Sequence, residues 1–265
     1  MAEKEITSRQ SPSVKRYVRL AGSRRARYEE RLFVTEGAKL TGEAFAAGYF
    51  PVELFATEEA FESAFDTLSP IALAAETFCR ITPAVADKLA QSVSPQGVFG
   101  VFRMLDNGTQ PVKISSNGKF LLLSSLQDPG NLGTILRAAA AFGVGGVLLS
   151  DDCPDLYSPK VLRASMGGVF RVPAAVTDDL GGWIDALKEA GVPVWAAALR
   201  QDAKTLREVS LGEGGCAVVI GNEGGGLADG VIGRCTGSLV IPMEPGSESL
   251  NAAMAAGVFL WEMYR

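Results

Sequence analysis

Residues 120–150 read FLLLSSLQDPGNLGTILRAAAAFGVGGVLLS, and this stretch decides the fold class. An unbroken apolar run ends in small polar residues. Asp128, Pro129 and Gly130 then make a turn, a helical pattern opens around Asn131 and Gly133, and a second apolar run, GVLLS, follows at once. Strands that are apolar throughout, with no alternation, belong in a parallel sheet covered by helices on both faces. The alternation continues through SPKVLRASMGG, WIDALKEAGVPVWAAAL, CAVVIGNEGGG and SLVIPM to SLNAAMAAGVFLWEMYR. Residues 119–265 are therefore expected to form a doubly wound α/β domain. Its ligand crevice should lie in the loops after FLLLSSL, VWAAAL, AVVIG and LVIPM, beyond the carboxyl ends of the strands.

Upstream, LFVTEGAKLTGEAFAAG, PVELFAT, TPAVADKLAQSV and GVFGVFRM mix helical and strand-like patterns, which makes residues 1–105 a smaller α/β unit. Between the two halves, DNGTQPVKISSNG (106–118) is polar and aperiodic and reads as a linker. At 265 residues, with 47% apolar and 21% charged side chains, the chain can build its cores without disulfides or metal. The four cysteines, Cys79, Cys153, Cys216 and Cys235, are far apart, and the chain has no histidine, so no metal site is expected. The missing histidine also removes Ser-His-Asp and Cys-His catalysis. The start, MAEKEITSRQ, lacks the apolar core of a signal peptide, and no run of roughly 18 apolar residues occurs. No membrane segment is expected, and the cytoplasm is the simplest location.

Net charge is −5, yet residues 9–31 carry eight basic residues against Glu29 and Glu30, a local excess of six. Arg16, Arg24, Arg25 and Arg27 lie in this block, which is suited to phosphates or is simply a solvated basic helix.

Three motifs in the C-terminal half carry candidate chemistry, and each alone has a structural explanation. Arg137 sits about two turns into the helix after the Asp128–Gly130 turn, where it is either a functional cation or the partner of a carboxylate. In AVVIGNEGGGL, Gly221, Glu223 and three glycines let backbone approach a ligand, or form a flexible turn. No register there gives the G-x-G-x-x-G of a nicotinamide-dependent oxidoreductase. In LVIPMEPGSESLNAAMAAGVFLWEMYR, Ser249 and Asn251 can cap a final helix. Its Leu250, Ala253, Met254, Gly257, Val258 and Trp261 recur at helical spacing, as in a core helix or a twofold interface.

In this order and combination the motifs resemble the SpoU/TrmH family of SPOUT RNA 2′-O-ribose methyltransferases. Asn131, Gly133 and Arg137 are similar to its first motif, Gly221, Glu223, Gly224 and Gly226 to its second, and Ile241, Pro242, Met243, Ser249, Leu250 and Asn251 to its third. SPKVLRASMGGVFRVP, with Lys160 and Arg163, looks like a further family segment. RYEERLFVTEGAKLTGEA and SVSPQGVFGVF resemble the ribosomal-protein-like substrate-binding domain that many members carry. Gln127 and Asn222 occupy positions that the family leaves loose.

The resemblance implies a C-terminal trefoil knot, a homodimer, and S-adenosylmethionine held by Ala198, Leu199, Gly221, Ile241, Met243 and Leu250. It further implies catalytic roles for Arg137, Asn131, Glu223, Ser249 and Asn251, with Arg137 supplied across the dimer. Structured RNA, ribosomal RNA first, is the implied substrate, docked by Arg16, Arg24, Arg25, Arg27, Lys160 and Arg163. The alternatives are a tRNA 2′-O-ribose methyltransferase and a catalytically silent RNA-binding or ribosome-assembly protein of the same fold.

Overall fold

The computed structural model describes residues 2–105, 111–244 and 249–265, so residues 106–110 of the expected linker lie outside the described residues. The chain divides into two compact units: residues 1–106 with 155–170, and residues 107–154 with 171–265.

The first unit is built on a five-stranded sheet. Its strands are β1 (Ala2–Ile6), β2 (Leu32–Glu36), β3 (Pro51–Ala56), β4 (Thr77–Ile81) and β5 (Val98–Arg103), in the order β1-β4-β3-β5-β2. Pairings β1–β4 and β3–β4 are parallel, whereas β5 runs antiparallel to β2 and β3. β1 and β4 are absent from the sequence reading. AEKEI is exposed along its length except at Ile6, as a charged edge strand should be, so it carries no apolar period to detect.

Residues 155–170, expected to belong with the C-terminal domain, pack with this first unit. Aromatic stacking explains why. Tyr157 lies 4.8 Å from Phe33 between ring centroids, and Phe170 lies 5.0 Å from Tyr49. A buried ion pair adds to this: Arg27 reaches Asp155 at 2.6 Å, and the Tyr28 hydroxyl donates to the same carboxylate at 2.9 Å. Burial, then the Asp155 charge and that bond, push the Tyr28 pKa upward.

The second unit holds seven strands: β6 (Lys119–Leu123), β7 (Gly146–Ser150), β8 (Ala174–Thr177), β9 (Val194–Ala197), β10 (Lys204–Thr205), β11 (Cys216–Ile220) and β12 (Gly237–Val240). They lie in the order β10-β12-β9-β11-β6-β7-β8, and every pairing is parallel, as the unbroken apolar runs predict. Phe120 to Leu123 and Ala217 to Val219 are fully buried at the centre. The sequence pattern overran two strands, because β6 stops at Leu123 and β12 at Val240, before Ser124 and Ile241.

Helix Pro129–Ala141 begins two residues before Asn131, where the sequence pattern opened it, so Pro129 and Gly130 belong to the helix and not to the turn. Asp128 caps it by accepting from the Asn131 N–H at 2.8 Å, with Pro129 in the first turn. The last helix, Ala252–Tyr264, packs on that helix and on β11, burying Ala256, Phe259, Leu260 and Met263. Among the described residues no helix is long and apolar enough to cross a membrane, and no acid or cysteine cluster is suited to a metal ion.

Candidate active site

β9, β11 and β12 are neighbours, and the loops leaving their carboxyl ends enclose a cavity of about 490 Å³ within the second unit. Ala198, Leu199, Gly221, Ile241, Met243 and Leu250, the six residues expected to hold a cofactor, all line it. Leu199, Met243 and Leu250 are 72%, 36% and 40% exposed, so the wall presents apolar surface that a ligand would cover. Three of the four expected loops take part. The fourth, after β6, lies beside the cavity and does not line it.

Gly221 is required by close approach. A Cβ there would stand 2.3 Å from the Gly226 carbonyl oxygen and 2.7 Å from the Leu227 nitrogen, both backbone atoms. Gly226 closes the loop at φ +66°, a left-handed conformation that glycine adopts without strain.

The catalytic candidates separate into a connected group and one isolated cation. Asn251 Nδ2 donates to Asn131 Oδ1 at 3.0 Å, and Asn131 Nδ2 donates to Glu223 Oε1 at 2.9 Å. Two side-chain bonds therefore join three motifs separated by 92 and 120 positions in the chain. Asn251 also caps the last helix, accepting from the N–H groups of Ala253 and Met254. Ser249, the other expected cap, lines the cavity instead. Glu223 accepts backbone N–H bonds from Gln127 at 3.1 Å and Asp128 at 3.4 Å. Burial pushes its pKa up, but the bonds from Asn131 and from backbone outweigh this and hold the carboxyl below its ordinary value. Glu223 is thus an anionic clamp on the turn of the first motif.

Arg137 is exposed on helix Pro129–Ala141 and has no hydrogen-bond or ion-pair partner among the described residues. It does not line the cavity of its own chain. Among the described residues no carboxylate pairs with it, as the structural alternative would require.

The sequence reading passed over Asn222. Its Oδ1 accepts from the N–H groups of Gly224 and Gly225, both at 2.8 Å, and its Nδ2 donates to the Ser125 carbonyl at 2.8 Å. An Asn before glycines is the signal of a side chain folding the following backbone into a turn, and it was legible. Arg200, paired with Asp229 at 3.0 Å on the cavity rim, left no such signal.

The expected RNA-contact arginines fare unevenly in the first unit. Arg27 is corrected: it is 4% exposed and committed to Asp155 and to the Leu20 and Ala21 carbonyls, so no phosphate can reach it. Arg16 pairs with Glu30 at 2.9 Å, Arg25 with Glu29 at 2.6 Å, and Arg163 lies 3.6 Å from Glu36. Arg24 lies over the half-exposed Tyr28 ring, 5.6 Å from its centroid. Lys160 sits in the first turn of helix Pro159–Ser165. Folding therefore offsets much of the local positive excess.

The profile of the SpoU rRNA Methylase family matches residues 118–261. The chain belongs to this family. A second profile, the MRM3-like substrate binding domain, matches residues 11–100. The SpoU relatives include an uncharacterized tRNA/rRNA methyltransferase of Synechocystis, 35% identical over 98% of this chain and 93% of its own length. The 23S rRNA (guanosine(2553)-2′-O)-methyltransferase RlmP of Bacillus subtilis is 30% identical over 98% and 99%. Among solved structures, an AdoMet-bound rRNA methyltransferase from Sinorhizobium meliloti superposes with a TM-score of 0.84 at 29% identity, covering 98% of this chain and 97% of that one.

Proposed function

We propose that this protein is a cytoplasmic RNA 2′-O-ribose methyltransferase acting on ribosomal RNA as a homodimer, with S-adenosylmethionine as methyl donor. One observation carries the reading: the Asn251–Asn131–Glu223 relay joins all three motifs beside a cavity whose lining is the expected cofactor set. The Gly221 cradle and the apolar wall of Leu199, Met243 and Leu250 suit a nucleoside with a sulfonium tail. The trefoil knot is part of this proposal and rests on the family resemblance.

S-adenosylmethionine bound there supplies an electrophilic methyl group. That methyl would pass to the ribose 2′-oxygen, whose proton would go to solvent. Arginine is protonated near neutrality, so Arg137 serves by stabilising the developing alkoxide and orienting a neighbouring phosphate. Glu223 and Asn131 fix the turn that leads into its helix, and Ser249 and Asn251 face the target nucleotide.

The dimer reading rests on the last helix. Met254, Trp261 and Tyr264 are 63%, 50% and 62% exposed along one face, and a Cβ added at Gly257 would meet nothing within 4 Å. An uncovered apolar stripe of this kind is suited to a second copy of the chain. Met254→Glu is expected to give a monomer by sedimentation that binds cofactor but transfers no methyl group. Full turnover by a monomeric Met254→Glu protein would overturn both the dimer requirement and the supply of Arg137 in trans. We assign RNA docking to the first unit, through Arg24, Arg25, Lys160 and the exposed faces of Arg16 and Arg163.

Gly221→Ala is expected to weaken S-adenosylmethionine binding on the order of tenfold or more, because backbone on both sides must move to admit the methyl. Calorimetric titration checks this, and an unchanged affinity would remove Gly221 from the cofactor site. The reading as a whole is tested by incubating the protein with labelled cofactor and ribosomal or transfer RNA and mapping ribose methylation.

A further inference from the structure

Asn222 bonds in two directions at once. Its Oδ1 folds the glycine loop through Gly224 and Gly225, and its Nδ2 reaches across to the backbone of Ser125 in the turn after β6. That second contact is unusual because of what it grips. Ser125 is one of three non-glycine residues with positive φ, at +56°, among the described residues. A serine in this region is strained and persists only where its surroundings over-determine it. They do so here. The Ser125 N–H donates to Ser150 Oγ at 2.8 Å, its carbonyl accepts from Asn222 and from Gln127 Nε2 at 3.1 Å, and its hydroxyl bonds Asp152. Two residues further on, the chain enters the Gln127–Asn131 segment that Glu223 clamps.

We infer that Asn222 is a positioning residue for methyl transfer, and that its bond to the strained Ser125 backbone sets the cofactor loop in register with the turn carrying Asn131 and leading to Arg137. This rests on the methyltransferase reading above. Beyond the Ser124–Ile220 backbone bond at their base, Glu223 joins the two loops through an exposed carboxylate, and Asn222 adds a side-chain bond to the Ser125 backbone itself.

Asn222→Asp separates the two directions, since a carboxylate still accepts from Gly224 and Gly225 but cannot donate to Ser125. The expected result is cofactor affinity within about threefold of wild type and kcat at saturating cofactor lowered by about tenfold or more, the loss of one partly buried hydrogen bond. Asn222→Ala should lose both affinity and kcat. At Ser125, valine is disfavoured at positive φ and glycine is not, so Ser125→Val should lose more kcat than Ser125→Gly. This pair keeps the test valid if an Asn222 variant fails to fold, which thermal unfolding reports. A kcat for Asn222→Asp within twofold of wild type, or a loss confined to cofactor affinity, overturns the inference, as does equal turnover by the two Ser125 variants. Wild-type methyl transfer measured in parallel distinguishes this outcome from failure of the enzyme reading itself.

Discussion

Arg137→Ala is expected to lower methyl transfer by about 10²- to 10³-fold, the loss seen when one donor aimed at a developing oxyanion is removed. Folding should be untouched. Arg137 is exposed and bonded to nothing among the described residues, and surface substitutions of this kind usually change stability by under about 0.5 kcal/mol. Arg137→Lys keeps the charge but loses the planar fork, so it should fall between alanine and wild type. Cofactor binding should survive in both, because Arg137 is not among the residues lining the cavity of its own chain. In the proposed dimer, mixing Arg137→Ala with Gly221→Ala protein should restore measurable turnover, since the mixed dimer assembles one intact site. Near-normal turnover in Arg137→Ala and Arg137→Lys would remove the arginine from the mechanism. Failure of the mixture to exceed the summed activity of the two variants, at a cofactor concentration too low for Gly221→Ala protein alone to turn over, would place it in cis.

Arg27→Ala should instead act on stability. Asp155 is 7% exposed and would be left with the Tyr28 hydroxyl and the Tyr157 N–H as its partners, a carboxylate in a poorly solvated site. Breaking such a pair costs about 3–5 kcal/mol, which is expected to lower the unfolding midpoint of the first unit on the order of 10 °C. Arg24→Ala/Arg25→Ala changes two exposed cations, and should leave the midpoint alone while weakening RNA binding and its salt dependence. Calorimetry with RNA-binding titrations at two salt concentrations separates the variants. An Arg27→Ala protein of normal midpoint with weakened RNA binding would return Arg27 to the RNA surface.

The correction at Arg27 shows where sequence reading stops. Charge counted along residues 9–31 sees only Glu29 and Glu30, whereas the acids that bind these arginines include Glu53 and Asp155 from elsewhere in the chain. Ion pairing is a property of space, and positions 27 and 155 become neighbours only after folding. Residues 155–170 make the same point. Their helical pattern is local and legible, but their partners Phe33 and Tyr49 are not in sequence register with anything.

What the sequence determined by itself is the parallel sheet of the second unit and the presence of a helix after the Asp128–Pro129 step, while the resemblance of its motifs named six of the residues that line the cavity. The first two follow from local chemistry, unbroken apolar strands and an Asp-Pro helix start, and the third from the resemblance alone. Tertiary structure alone decided that Glu223 clamps the first motif, that Asn222 grips a strained Ser125, and that Arg137 stands free of its own cavity. Those facts depend on the β11–β6 pairing, which sets Ile220 beside Leu123 and brings together loops almost 100 residues apart.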